Sequence, residues 1–532
     1  MARSAAFRKL AQLIRVAEEC DKQGLGSEEG LALARDRKLW APSRRALFTG
    51  AGASAAVLAL GHSTPARASQ PAVAVVGAGL AGLSCLETLA AKRIFATAYE
   101  ASDRVGGRVR SMGGAFAGPV AFPGQVVERG GELIDTTHKM MRGWANQFGA
   151  ELEPAEDGYD TLFYFDGQLY DEADVVDQYR DLVDAMRDDL RNVGSPLAGA
   201  TTAAEEELDQ TSLADYLDSR GAGSLVRAMI EAAYVGEYGL EIDEQTSLAF
   251  LLFIHADRRS KWRPFGVFSD ERFHVKGGNE LIISGLENRY QDQIELGHQL
   301  VAVTETSSGR IQLTFSTAGG TVEETVDRAV LALPFSVLRE VDLSGSGLPA
   351  WKTTVIDNLR YGTNSKHMIG FNGRPWRSEG GSGAIYASGL ATVSVAWQSN
   401  QSNATDTRAV LTNYSGGSYG AGLDANAVQA ETRAVLADLE AIVAGTTAAA
   451  STSAGAYVAH IENWTTNPLS RGSYCANALG YFTDIADLEG VACGALHFAG
   501  EHTSSFYEWQ GFMEGAALSG DRAALEVWRG SR

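Results

Sequence analysis

The segment Gly77-Ala78-Gly79-Leu80-Ala81-Gly82 constrains this chain more than any other. It follows the apolar run Ala72-Val73-Ala74-Val75-Val76, which reads as a buried parallel strand. A helical pattern through Leu83, Leu86, Leu89 and Ala90 comes next, and Tyr99-Glu100 closes a second short strand. Strand, tight glycine turn, helix, strand and acidic residue make up the dinucleotide-binding βαβ unit. Gly77 permits the tight turn, Gly79 lets the backbone approach a pyrophosphate, and Gly82 lets helix and strand pack closely. The helix start beyond Ala78, through Leu80 and Ala81, offers unpaired N–H groups and a positive dipole end to the phosphates. Glu100 lies 23 residues after Gly77, where a carboxylate accepts hydrogen bonds from a ribose diol, and Ala101 adjoins it.

The next residues, Arg104-Val105-Gly106-Gly107-Arg108-Val109-Arg110, narrow the ligand. A second glycine pair with flanking arginines suits an extended FAD, whose pyrophosphate and flavin need more contacts than NAD. At this point the chain resembles the flavin-containing amine oxidase family: the monoamine, polyamine and L-amino-acid oxidases. The resemblance is strongest over residues 71–137 and 458–527 and weaker between them. Those blocks are specific to the superfamily and not to a substrate. The resemblance implies an α/β fold, with an FAD-binding Rossmann-type domain built from discontinuous segments and an interleaved α+β substrate-binding domain. On that pattern the FAD domain takes residues 71–137, 273–338 and 458–532, and the substrate domain takes 138–272, read as mostly helical, and 339–457. Glu128-Arg129-Gly130-Gly131-Glu132-Leu133-Ile134-Asp135 is similar to the family's acidic–Gly–Gly strand beside the flavin, which makes Gly131 and Glu132 cofactor contacts. Leu300 falls where the family packs a residue near the adenine.

Residues 1–68 read as a leader. Ser43-Arg44-Arg45-Ala46-Leu47-Phe48 is a twin-arginine pattern, Ala51–Leu60 is weakly apolar, and Ala66-Arg67-Ala68 suits a small-residue cleavage site. That route exports folded proteins, so a cofactor can be loaded first. The expectation is a bacterial protein that meets the twin-arginine machinery and ends periplasmic or secreted. The helical periodicity ahead of the motif (Phe7, Leu10, Leu13, Ile14, Val16) is left between an extended leader and a misplaced start. No later run is long enough to span a bilayer. A net charge of −21 argues against nucleic-acid and anionic-membrane partners. A homodimer is one assembly open to such a chain. Cys85 reads as a buried small hydrophobe, while Cys475 and Cys493 are candidates for a pair that sequence cannot decide.

Leu496–His502 reads as a strand entering a glycine turn, and Gly511–Gly520 as the opening of the final helix. The small Gly515, Ala516 and Ser519 are expected to bring that helix backbone close to a ligand. By resemblance Gly500, Glu501, Gly511 and Met513 contact FAD, as does Trp464, which lies before the Tyr474 segment. Tyr474 and Phe512 fall at the two cage positions where related amine oxidases place aromatic rings before the flavin, and Trp509 is expected on the same wall. Aromatic faces attract cationic amines. Ser473 stands where monoamine oxidases with covalent FAD carry cysteine, which implies non-covalent FAD. Many relatives place a lysine near flavin N5 soon after the proline-ended strand. Pro334–Leu348 has none, so either a later lysine such as Lys352 or Lys366 folds in or none does. Asp135 and Glu132 are candidates for a distal ammonium or else solvated charges, and the carboxylate-binding arginine of L-amino-acid oxidases is not evident after Gly131.

The resemblance implies an FAD-dependent amine oxidase. Hydride passes from the amine α-carbon to flavin N5, the imine hydrolyses to aldehyde or ketone, and oxygen reoxidises the flavin to give hydrogen peroxide. The alternatives are an L-amino-acid oxidase and an amine dehydrogenase with another acceptor. More distant ones are a non-catalytic flavin binder and a desaturase or porphyrinogen oxidase. No metal site is expected, because no His/Cys cluster has zinc spacing.

Overall fold

The computed structural model describes residues 5–39, 71–155, 159–255, 270–399 and 407–531. Val73–Val76 is buried along its whole length and runs parallel to Ala96–Tyr99 on one side and Arg328–Leu331 on the other. Leu496–Phe498 and Ile294–Glu295 form the two edges of this five-stranded parallel sheet. A strand covered on both faces carries a continuous apolar run, as Val73–Val76 does. The helix Leu80–Ala91 follows the glycine turn, and the final helix Met513–Gly530 packs along it. Gly520 permits that approach, because a Cβ there would collide with the Ala81 carbonyl. The Rossmann-type sheet is therefore assembled from strands far apart in sequence.

An antiparallel ribbon forms between Gln299–Glu305 and Ile311–Thr317, with Leu300 opposite Phe315. Gly320–Val326 and Asp342–Gly345 extend it to four strands.

The second layer is a seven-stranded mixed sheet in the order Ala459–Asn463, Ser365–Phe371, Ala409–Ser415, Val395–Ser399, Gly381–Ala387, Asp160–Phe165, Gln168–Tyr170. Two of its strands come from the stretch read as mostly helical, where Asp160–Phe165 pairs parallel with Gly381–Ala387. The expected helices are present beyond them. Asp171 precedes Glu172–Ala185, and the Ser212 hydroxyl caps Leu213–Ser219 by accepting from the Asp215 N–H at 3.0 Å. The strand Val395–Ser399 begins after a turn in which the Asp438 carboxylate holds the Thr392 N–H and hydroxyl. The stretch 444–457 holds a short helix, Thr446–Ala449, and a short hairpin. The Glu440 carboxylate caps that helix through the N–H groups of Gly445 and Thr447.

The leader expected to end at 68 does not coincide with the start of the folded core. Ala5–Gln23 and Ser27–Leu39 pack on Glu172–Ala185, and the first of them also packs on Ser224–Tyr238. Leu13, Ile14, Val16, Ala17 and Cys20 are buried in the same core cluster as Tyr179 and Val183. Lys9 pairs with Glu172 at 2.6 Å, and Asp21 pairs with Arg180. The apolar periodicity noted at Leu13, Ile14 and Val16 is thus the buried face of a docked helix. The twin-arginine pattern and the Ala66–Ala68 segment lie outside the described residues. No helix among the described residues is long and apolar enough to cross a membrane.

Candidate active site

A cavity of about 470 Å³ runs from the glycine turn to the seven-stranded sheet. Its first end is the βαβ unit. Gly77 has φ +97°, and a Cβ there would sit 2.7 Å from the Ala332 carbonyl. At Gly79 a Cβ would meet nothing, so the backbone faces open space where a phosphate needs room. Gly77, Gly79, Leu80, Ala81, Glu100 and Ala101 line this end. Ala78 and Gly82 do not, and their work is internal. The Ala78 N–H donates to Glu100 Oε2 at 2.8 Å, and Gly82 packs the helix against the Gly77 carbonyl. The second turn closes on the first, with the Gly106 N–H donating to the Ala78 carbonyl at 2.9 Å. Gly106, Gly107 and Arg108 line the cavity. Arg108 donates to the Ser473 carbonyl at 2.6 Å and pairs with Glu501 at 2.9 Å. Leu300 and its neighbours Gln299 and Val301 form part of the same wall.

The C-terminal block meets this end. Gly500, Glu501, Gly511, Phe512 and Met513 line the cavity, as do Trp464 and Gly131. Gly131 lies under Met513, where a Cβ would come within 2.8 Å of Met513 Cγ. Of the small helix residues expected to face a ligand, only Ala516 does. Gly515 faces the Trp509 carbonyl, and the Ser519 hydroxyl accepts from the Gly500 N–H at 2.9 Å. Their size serves helix packing. The cysteines do not pair: all four described cysteines are free, and Cys475 lies 3.1 Å from Glu501 Oε2. The Ser473 hydroxyl, where covalent relatives carry sulfur, donates to Asn364 Oδ1 at 2.6 Å.

The far end of the cavity is aromatic. Tyr474 and Phe512 both line it. The Tyr474 hydroxyl is held by the Glu237 carbonyl and by the Tyr414 hydroxyl at 2.8 Å. Trp509 is a correction: it does not line the cavity. It packs edge-on against His138 at 4.4 Å between ring centroids, and His138 in turn backs Phe512 at 5.5 Å. Burial pushes the His138 imidazole down to about 3, so it stays neutral. Asp135 also stays out of the cavity. It is fully buried beside His138, and its Oδ1 accepts from the Glu271 N–H at 2.9 Å. Glu271 itself lines the wall.

Sheet register supplies what sequence reading missed. Lys366 stands opposite Tyr414, while Trp397 stands opposite Thr412, two residues before Tyr414. A period of two therefore puts Lys366, Tyr414 and Trp397 on one face, and all three line the cavity. The open question about lysine resolves here: Lys366 folds in and Lys352 does not. Lys366 Nζ donates to the carbonyls of Glu128 at 3.1 Å and Gly130 at 2.8 Å and to Glu132 Oε2 at 2.7 Å. Lys352 is buried elsewhere and donates to the carbonyls of Leu488 and Glu489. The only sequence signal for the face was the strand alternation around Trp397 and Tyr414, which does not say which face meets the cavity.

Residues 80–527 match the family model for flavin containing amine oxidoreductases. The chain is 21% identical to the L-amino-acid oxidase of Pseudechis australis over 485 residues, 87% of each chain. It is 26% identical to the flavin-dependent L-tryptophan oxidase of Lentzea aerocolonigenes over 343 residues, 60% of this chain and 69% of the other. Cyclohexylamine oxidase from Brevibacterium oxydans has a similar fold, with a TM-score of 0.71 at 20% identity over 87% of this chain and 99% of that one. A putrescine oxidase solved with putrescine gives a TM-score of 0.70 at 20% identity, over 86% of this chain and 99% of that one. Two closed glycine turns, a free helix start and a carboxylate after the second strand fit an FAD, which the matched family implies. The chain belongs to the flavin containing amine oxidoreductase family, and it is a flavin-dependent oxidoreductase of amines or amino acids.

Proposed function

We propose that this enzyme oxidises amines that lack an α-carboxylate, with non-covalent FAD and with oxygen as acceptor. The observation that carries the choice is the character of the far wall. Trp397, Tyr414, Tyr474 and Phe512 form it, and the cavity's arginines lie elsewhere. Arg104, Arg108 and Arg110 belong to the second glycine turn, and Arg471 pairs with Glu340 at 3.0 Å. Lys366 already donates to three protein acceptors, which matches the three N–H bonds of an ammonium. Among the described residues, no cation on that wall is left to hold a substrate carboxylate.

FAD, when bound, would supply the redox chemistry, namely hydride acceptance from the amine α-carbon and transfer of the electrons to oxygen. The chain supplies placement. Tyr474 and Phe512 bracket the amine, and Tyr414 and the Glu237 carbonyl fix the Tyr474 ring. The apolar wall excludes water until the imine leaves to hydrolyse. Gly79, Gly107, Arg108, Glu100 and Trp464 are the proposed cofactor contacts, together with the Gly500–Glu501 and Gly511–Met513 segments. Ser473 offers no thiol, which supports a dissociable flavin. Acid precipitation of the holoenzyme should leave the flavin in the supernatant, and flavin retained in the pellet would refute that point. The twin-arginine pattern supports export of the folded holoprotein from a bacterial cytoplasm, to a periplasmic or secreted destination.

The deciding experiment is anaerobic titration with mono-, di- and polyamines and L-amino acids, while the flavin band at about 450 nm is followed. Bleaching by amines and not by amino acids supports the proposal, and admitting air tests oxygen as acceptor. Bleaching by amino acids alone would overturn it.

A further inference from the structure

Glu132 lies between the glycine strand and the aromatic wall, and both of its carboxylate oxygens are engaged. Oε2 accepts from Lys366 Nζ at 2.7 Å, and Oε1 accepts from the Trp397 indole N–H at 3.1 Å. Lys366 lies 5.7 Å from the Trp397 ring centroid. Trp397 meets Tyr414 edge-on at 5.0 Å, and the Tyr414 hydroxyl meets that of Tyr474 at 2.8 Å. One carboxylate therefore starts a chain of contacts that ends on the proposed amine cage. The pieces come from five separate parts of the fold: the 129–135 segment, the strands Ser365–Phe371, Val395–Ser399 and Ala409–Ser415, and the Tyr474 loop.

We propose that Glu132 is a positioning residue. It fixes the Lys366 ammonium and the Trp397 indole, and through Trp397 and Tyr414 it fixes the Tyr474 ring. It does not receive the distal ammonium of a diamine, because its charge is already paired with the Lys366 ammonium at 2.7 Å. An indole has a single N–H donor, and the Glu132 carboxylate fixes where that of Trp397 points. A lysine ammonium swings on a flexible stem unless a carboxylate fixes it. Glu132→Gln keeps the shape and an acceptor oxygen but removes the charge. The amide oxygen can satisfy Trp397 or Lys366, and the amide NH₂ repels whichever donor it faces.

The kinetic arm rests on the amine-oxidising reading, and the fluorescence arm does not. In the FAD-free protein, Glu132→Gln and Glu132→Ala should each shift tryptophan emission, and the shift should vanish in a Trp397→Phe background. In the holoenzyme, Glu132→Gln should lower the rate of flavin reduction at saturating monoamine about 10-fold, since small misplacements near the reacting atoms cost that much or more. The half-saturating amine concentration should change by less than about 3-fold. The double variant Glu132→Gln/Trp397→Phe should be no slower than Trp397→Phe alone, because the two residues act in one chain. Unchanged emission together with an unchanged reduction rate would overturn the proposal. So would a large rise in half-saturation for diamines alone, which would make Glu132 a substrate receptor. If no amine reduces the wild-type flavin, the functional reading fails, and the emission experiment still judges Glu132.

Discussion

Removing the N-terminal helix gives a direct test of whether residues 5–39 belong to the working enzyme. The sharpest perturbation is Leu13→Ala. Leu13 is fully buried, in the core cluster that also holds Tyr179, Val183 and Tyr234. Truncating a buried leucine to alanine costs about 2–5 kcal/mol, with the higher values where the cavity cannot collapse. A kcal/mol moves the melting temperature of a domain of about 150–250 residues by about 2–4 °C. Leu13→Ala should therefore lower the melting temperature by roughly 5–15 °C, read as release of flavin fluorescence on heating. Deleting the whole segment should do more. Leu13, Ile14 and Val16 on the first helix and Leu31 and Ala34 on the second are all buried. At about 1.5–3 kcal/mol for each large apolar side chain, their sum approaches the whole stability of a typical domain. A protein starting at residue 40 should aggregate or lose flavin unless a peptide spanning 5–39 is added back. If the truncated protein keeps both its flavin and its melting temperature, the helix is dispensable, and the leader runs unbroken from the first residue.

The other predictions concern the site and the expected route. Tyr474→Phe with Phe512→Ala should lower kcat/KM for the best amine about 10–100-fold, as loss of a cage worth about 1.4–2.7 kcal/mol in the transition state; an unchanged value would remove the pair from the mechanism. Burial pushes the Glu128 carboxyl up to about 8. Its proton is held more tightly in the folded state, so its contribution to stability is full below the ordinary carboxylate range and declines as pH rises towards about 8. Unfolding midpoints should fall between pH 5 and pH 8 with a slope of at most about 1.4 kcal/mol per pH unit from this group. Glu128→Gln should flatten that slope, and an unchanged slope would assign the dependence to other groups. Arg44→Lys with Arg45→Lys should hold the protein in the cytoplasm of a host with the twin-arginine system, as fractionation would show; normal export would discard that route.

Much of the cofactor end was legible in the chain, because its parts lie close together in sequence and each carries its own geometry. Gly77 needs a positive φ and Gly82 needs to have no Cβ, and both requirements are met within one strand–turn–helix segment. Tyr474 and Phe512, the proposed cage, were singled out by resemblance, since each sits in a short distinctive motif, and both line the cavity. Trp509 was misplaced for the same reason: three residues from Phe512 along the chain, its ring packs behind Phe512 and against His138 instead of lining the cavity. Glu132 was visible as a residue, but its work was not, because both of its partners lie more than two hundred residues away.

The chain alone carried the dinucleotide-binding unit and the family, since both rest on local chemistry. Which lysine enters the cavity, which aromatics complete its wall, and the burial of the first helix's apolar face emerged only with the tertiary fold. Lys366, Trp397 and Tyr414 meet because the register of three strands sets them on one face. The helix Ala5–Gln23 is buried because a groove formed by later helices accepts its apolar side. Register and docking are properties of surfaces that do not exist until distant segments have packed together.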